Sequence, residues 1–279
     1  MAIARFKDLC LDAGDPGRLG AFWAAALGRT WQAQDNGDGL LTGPTPQHTI
    51  WVNRVPECRT AKQRVHLDIY AQDLADLEAL GATIVEPRHG TRTWTVMADS
   101  EGGEFCAFLR PELPAERLHG LVVDSADPQA QAQWWGKVYG VGVTVNDGWS
   151  TLEDVPGMPI LTMDFVPVPE PKTVKNRIHW DVTVPGVAPL VEAGATVLRE
   201  GRRCRLVRAR RPGRKRVLRV HRVTTVARFP LPVPQLPSGG PQHTMTIYRD
   251  RIASGSTGVR DACSRFTGRR LRRLARRRG

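Results

Sequence analysis

The chemistry of Arg210–Val220, RRPGRKRVLRV, is the plainest in the chain: cations at high density and no acid. Such a run neutralises phosphates, without regard to sequence and in a salt-dependent way. It lies in residues 201–279, which hold 23 of the 40 Lys+Arg but only two of the 28 acids, Asp250 and Asp261. The formal net charge of +12 therefore averages an acidic body of 200 residues with a basic tail. The tail's aromatics, Phe229, Tyr248 and Phe266, are scattered rather than interleaved with arginine, so base stacking finds little support. Nucleic acid is expected to be bound only non-specifically, through the tail. The five cysteines (Cys10, Cys58, Cys106, Cys204, Cys263) have no CxxC or other metal-knuckle spacing. In a chain this long they suit a reducing cytoplasm better than a disulfide framework. The start, MAIARFKDLCLDAGDP, has no apolar core of a signal peptide. No run approaches membrane-spanning length, so a cytoplasmic protein without a membrane partner is expected.

The remaining candidates for chemistry occur twice. LCLDAGDPGRLGAFWAAALG (Leu9–Gly28) reads against LVVDSADPQAQAQWWGKVYG (Leu121–Gly140), pairing Asp12 with Asp124, Asp15-Pro16 with Asp127-Pro128 and Trp23 with Trp135. RVHLDIYAQDLADLEALGATIVEP (Arg64–Pro87) reads against RIHWDVTVPGVAPLVEAGATVLRE (Arg177–Glu200), pairing His66 with His179 and Asp68 with Asp181. The chain is thus a tandem duplication. Its expected parts are a first domain, 1–110, a proline-bearing linker, 111–116, a second domain, 117–200, and the arginine-rich tail, 201–279.

The elements that position these residues follow in a regular order. An apolar strand over Phe6–Asp12 leads into Asp15-Pro16, which caps an amphipathic helix with Trp23, Ala26 and Leu27 on its core face. Short strands TWQAQ, GLLTG and HTIWVNRV follow. The order then restarts with strand RVHLDIY, helix DLADLEALG and strands TIVEP, TWTVMAD and EFCAFL. Strand–helix–strand–strand–strand, repeated, predicts an α+β fold with a mostly antiparallel sheet.

These residues resemble the glyoxalase-like (bleomycin-resistance-like) domains of the vicinal oxygen chelate superfamily. The resemblance rests on LDAGDP, the FW of the first helix, HLD, LGATIVEP and the closing WTVMADSEGGEFCAF (Trp94–Phe108). It implies paired βαβββ modules forming a curved sheet around a cleft, in two tandem domains, often with one divalent metal ion. Metal-bearing members take ligands from strands one, four, five and eight. Carried over, the metal ligands are Asp8 on strand one, His66 on strand five and, on strand eight, Cys106 or Glu104; Cys106 stands where the family usually has glutamate, so the set departs from its usual His/Glu ligands. Glu104, two residues before Cys106 and on the same side, is the expected catalytic carboxylate. Asn53 is the polar residue of strand four, and Trp51 and Trp94 are aromatic walls for a small-molecule ligand. In the second copy His179 remains, Gly120 replaces Asp8, and His119, one position off, is expected to face away. His66 also fits a hydrogen-bonded place within the sheet, and Cys106 a small buried apolar residue.

The fold hosts lyases, isomerases, dioxygenases and drug-sequestering proteins. A metal-dependent enzyme on a small oxygenated substrate and a non-catalytic binder therefore both stand. The basic stretch enters here again. At the repeat offset, Arg210–Val220 occupies the place of ADSEGGEFCAF (Ala98–Phe108). Codons chosen within degeneracy for these residues can, read one base on, spell Ala-Asp-Pro-Glu-Gly-Asn-Glu-Phe-Cys-Ala-Phe, which matches that closing motif at nine of its eleven positions. The expectation is a frame shifted just after Glu200, with 201–279 out of frame and unpacked. The second domain would then be truncated, with an open sheet edge available for self-association.

Overall fold

The computed structural model describes residues 2–196. The tail, Cys204, Cys263 and the shifted-frame segment lie outside them. Three complete βαβββ modules and the start of a fourth are present among the described residues. The first module comprises β1 (Arg5–Ala13), α1 (Pro16–Leu27), β2 (Thr30–Ala33), β3 (Gly39–Thr42) and β4 (Ile50–Arg54). The second has β5 (Val65–Ala71), α2 (Leu74–Ala79), β6 (Thr83–Glu86), β7 (Trp94–Ala98) and β8 (Glu104–Leu109). The third has β9 (Leu118–Ser125), α3 (Pro128–Tyr139), β10 (Thr144–Val145), β11 (Ser150–Glu153) and β12 (Thr162–Pro167). The fourth begins with β13 (Ile178–Thr183) and α4 (Ala188–Glu192).

Local chemistry starts the helices as the sequence predicts, and glycine stops them. Asp15 accepts the Arg18 amide at 3.2 Å and Asp127 the Ala130 amide at 2.9 Å, each with proline at the first helical turn. Gly28 and Gly140 end α1 and α3 with φ of 64° and 69°, a left-handed turn that glycine makes at least cost. In each complete module the helix carries the chain to the far edge, and two hairpins bring it back. The last strand then lies parallel beside the first: β1 with β4, β5 with β8, β9 with β12. All other strand pairs are antiparallel, so the sheets are mixed but mostly antiparallel.

The modules pair between the copies and not within one. A five-stranded sheet runs β13-β1-β4-β3-β2, joining the first module to the fourth. An eight-stranded sheet runs β10-β11-β12-β9-β5-β8-β7-β6, joining the third module to the second. The linker is the physical reason. After β8, residues 110–117 pass the end of β5 and place β9 on its free edge, where the Tyr70 amide donates to the Arg117 carbonyl at 2.8 Å.

Two ion pairs repeat this exchange. Lys62 of the first copy reaches Asp124 of the second at 3.3 Å, and Lys175 of the second reaches Asp12 of the first. Both aspartates are buried. The lysines open the repeated pattern Lys-x-Arg-x-His-x-Asp of β5 and β13.

The core is likewise shared. Strand alternation sends Leu9, Leu11, Ile50, Val52, Val65, Leu67, Ile69 and Phe105 into one apolar cluster. Trp23 of α1, carried by the five-stranded sheet, meets Phe105 of the eight-stranded sheet edge-on at 5.2 Å. In the mirrored contact, Trp135 of α3 meets Trp180 of β13 at 5.0 Å. Burial of such rings contributes about 2 kcal/mol each or more, which ties the two sheets together.

Candidate metal centre and ligand cleft

The alternation that buries one face of each strand leaves the other to carry polar chemistry. On β5, Val65, Leu67 and Ile69 are buried, so His66, Asp68 and Tyr70 share the opposite face. On β8, Phe105 points into the core, so Glu104, Cys106 and Phe108 share that opposite face. Parallel pairing sets Asp68 beside Cys106. The result is a nitrogen, an oxygen and a sulfur, from His66, Asp68 and Cys106, all within 4.8 Å of one another.

Burial decides their protonation. It pushes the His66 imidazole down to about 4, so the ring is neutral at neutral pH and keeps a lone pair. Asp68 is pushed up to about 7, first by burial and then by the carboxylate of Asp164 on β12. Among the described residues no cation pairs with Asp68; the Cys106 thiol hydrogen-bonds its carboxylate, but Oδ1 has no hydrogen-bond partner, and His66 Nε2 lies 3.5 Å from it. The Cys106 thiol is driven up by burial and by Asp68. Gly120 of β9 makes room: a Cβ there would stand 2.9 Å from the Asp68 Cβ.

Around this cluster the sheet is aromatic. Trp94 lies 5.6 Å from Phe108, Phe108 meets His119 edge-on at 4.7 Å, and His119 stacks on Tyr70 at 4.1 Å. Arg92 caps Trp94 and Arg110 caps Tyr70. The expectation that His119 faces away is corrected here. A register shift between Asp68 and Ile69 turns β9 and brings the His119 ring onto Tyr70.

The five-stranded sheet holds a second group. Asp8 and Cys10 of β1, Trp51 and Asn53 of β4, and His179 and Asp181 of β13 line a cleft of about 620 Å³. Cys10, His179 and Asp181 again place ligand atoms within 4.8 Å of one another. Here, however, a lysine intervenes. Lys7 Nζ sits 2.5 Å from Asp8 Oδ2 and 3.6 Å from Asp181 Oδ2, and Trp51 Nε1 donates to Asp8 Oδ2 at 3.1 Å. Burial, then Asp181 and Asp8, push the Cys10 thiol up, so it stays protonated.

A glyoxalase-like domain model matches residues 8–108 and 120–213, well over half of the chain. The chain belongs to the glyoxalase-like domain family. One solved structure agrees on the fold, and two more are similar in part. Glyoxalase I from Zea mays is 15% identical with a TM-score of 0.51, covering 68% of this chain and 78% of that one. A putative dioxygenase from Bacillus subtilis is 13% identical with a TM-score of 0.47, covering 64% and 70%. A glyoxalase/bleomycin resistance protein/dioxygenase family enzyme from Burkholderia phytofirmans is 16% identical with a TM-score of 0.31, covering 36% and 94%. No curated protein matches the sequence. No helix among the described residues is long and apolar enough to cross a membrane.

Exchange of modules in this glyoxalase-like chain splits the predicted site. Asp8, Trp51 and Asn53 lie on the five-stranded sheet, whereas His66, Glu104, Cys106 and Trp94 lie on the eight-stranded one. A single centre of Asp8, His66 and Cys106 is therefore not formed, because β1 pairs with β13 and not with β5. Glu104 does share the face of Cys106, but its Oε2 is held by Arg59 Nη1 at 3.1 Å and the Gln63 amide at 3.3 Å. Sequence reasoning missed Cys10, Asp68, Asp164 and Asp181 as site residues. The signal for two of them was present: each aspartate lies two residues after its histidine, hence on the same strand face.

Proposed function

We propose that this glyoxalase-like protein is a metal-dependent enzyme of the lyase, isomerase or dioxygenase type, acting on a small oxygenated substrate. Its centre is His66, Asp68 and Cys106 on the eight-stranded sheet. The observation that carries this reading is Asp68: a buried carboxylate with one unpartnered oxygen and, among the described residues, no counter-cation, beside a neutral imidazole and a thiol. Leaving a buried acid uncompensated is costly unless a cation joins it. Nitrogen, oxygen and sulfur donors together suit a borderline ion such as zinc.

His66, Asp68 and Cys106 would hold a divalent ion, which would supply Lewis-acid polarisation of a substrate oxygen. The residues do the rest. His66 offers its lone pair without first losing a proton, while Asp68 and Cys106 release protons as they become ligands. Trp94, Phe108, His119 and Tyr70 give an aromatic wall that orients a substrate and sheds water. For Glu104 to exchange protons with that substrate, Arg59 has to leave it; in the resting arrangement it ties residues 59–63 to β8.

Metal analysis of the full chain tests the reading. A stoichiometric divalent ion, lost in His66→Ala and in Cys106→Ser, supports it; a purified chain that holds none and takes up none from zinc or manganese refutes it. Small-molecule sequestration is the second reading, favoured by the cleft of about 620 Å³ beside Trp51 on the other sheet.

A further inference from the structure

We infer that the cleft of the five-stranded sheet is a separate, metal-free site for a small organic cation: a primary or secondary ammonium group on an apolar or aromatic body. The inference deepens the sequestration reading and rests on the cleft being a ligand pocket. It does not depend on the metal centre of the other sheet.

The argument begins with two oxygens. Asp8 and Asp181 line the cleft, and their side chains are only 8% and 9% exposed. Each keeps one oxygen, Oδ1, with no hydrogen-bond partner. A buried carboxylate oxygen without a donor carries a desolvation cost that a ligand N–H or O–H removes. The second oxygens are already engaged: Lys7 lies against both, and Trp51 Nε1 donates to that of Asp8. An ammonium group thus already stands between the two carboxylates, against the Asp181 of the Cys10, His179 and Asp181 group, and opposes a metal ion there.

Charge then selects the ligand. Two carboxylates and one lysine leave the inner cleft one negative charge in excess. Cys10, held as a thiol, adds none. Arg5 and Asp38 also line the cleft and carry one charge of each sign. A neutral ligand leaves the excess charge in place and an anion opposes it, whereas a monocation cancels it. Trp51, its ring fixed by the bond to Asp8, stands at the same wall and suits a cation or an aromatic body. Phe6, Leu40 and Pro46 supply apolar lining, and the volume of about 620 Å³ matches a drug-sized molecule.

Benzylammonium, benzyl alcohol and benzoate share a ring and differ in charge. Each is to be titrated calorimetrically into the metal-stripped full chain at neutral pH. The expected order is benzylammonium at least about tenfold tighter than the alcohol, with benzoate weakest, as charge-assisted hydrogen bonds dictate. Asp181→Asn is expected to bring benzylammonium down to the level of the alcohol. Should that variant not fold, Lys7→Met leaves both carboxylates and removes the competing ammonium, and binding of benzylammonium should tighten about tenfold. His66→Ala, which removes the proposed metal ligand of the other sheet, should change none of these values. Equal binding of alcohol or benzoate overturns the ligand class, as does a Lys7→Met variant that binds no tighter. If none of the three binds, the reading of the cleft as a ligand pocket falls with it, while the metal centre stands or falls on its own analysis.

Discussion

Replacing Asp68 by asparagine isolates the energy stored at the eight-stranded sheet. Burial moves this carboxyl from its ordinary value of 3.8 to about 7. Between those values the unfolded chain is ionised at Asp68 and the folded chain holds a proton. Unfolding there releases a proton, so stability falls as pH rises through the window. Below about pH 4 both states are protonated and nothing is lost; above about pH 7 the full cost is present. At 1.36 kcal/mol for each tenfold change in proton affinity, that cost is on the order of 4 kcal/mol. The amide of the variant cannot ionise and escapes it. Urea denaturation of metal-stripped wild type and Asp68→Asn should therefore give a difference that is small at pH 4 and grows to several kcal/mol in favour of the variant by pH 8. Saturating zinc should reverse the order at pH 8, because the ion neutralises the carboxylate in the wild type and finds one ligand fewer in the variant. A difference that stays constant from pH 4 to pH 8 would refute the argument that Asp68 is an uncompensated buried acid.

Three further outcomes are expected. Gly120→Ala puts a methyl 2.9 Å from the Asp68 Cβ, so it should cost about 1–3 kcal/mol in denaturation and weaken metal binding at the same time. Trp23→Ala removes a ring packed on Phe105 of the opposite sheet and a hydrogen bond to Asp99, and should lower the unfolding free energy by about 3–5 kcal/mol. Sequencing the gene should show that the codons of Arg210–Val220 spell the closing motif one base on. A chain ending at 200 should then keep the metal content of the full protein, and loss of that content would count against reading 201–279 as out of frame.

The fold was legible because its signals are local and doubled. Asp15-Pro16 and Asp127-Pro128 mark helix starts, and alternation on β5 and β8 fixes which residues face the core. The site was legible one strand at a time. His66 and Cys106 do meet, because their strands are neighbours within one module. Asp8 does not join them, because which first strand pairs with which is decided between modules far apart in sequence. The lysines of the Lys-x-Arg-x-His-x-Asp pattern carried the missing information. Their partners, Asp12 and Asp124, lie in the opposite copy, and nothing in the local spacing names them. Lys7 was overlooked for another reason. A lysine next to an aspartate reads as a solvated pair until β13 brings Asp181 against it.

Exchange of modules also bears on how the two halves can differ. Were the copies separate and identical chains, every substitution would appear in both sheets at once. Joined in one chain, each sheet answers to its own residues. At the repeat offset, Lys7 and Asp8 correspond to His119 and Gly120. The first pair puts an ammonium group between two carboxylates, and the second puts a ring on Tyr70 and leaves a gap that Asp68 enters. Covalent fusion has thus turned a pair of places that symmetry would hold equal into two that inheritance can alter singly.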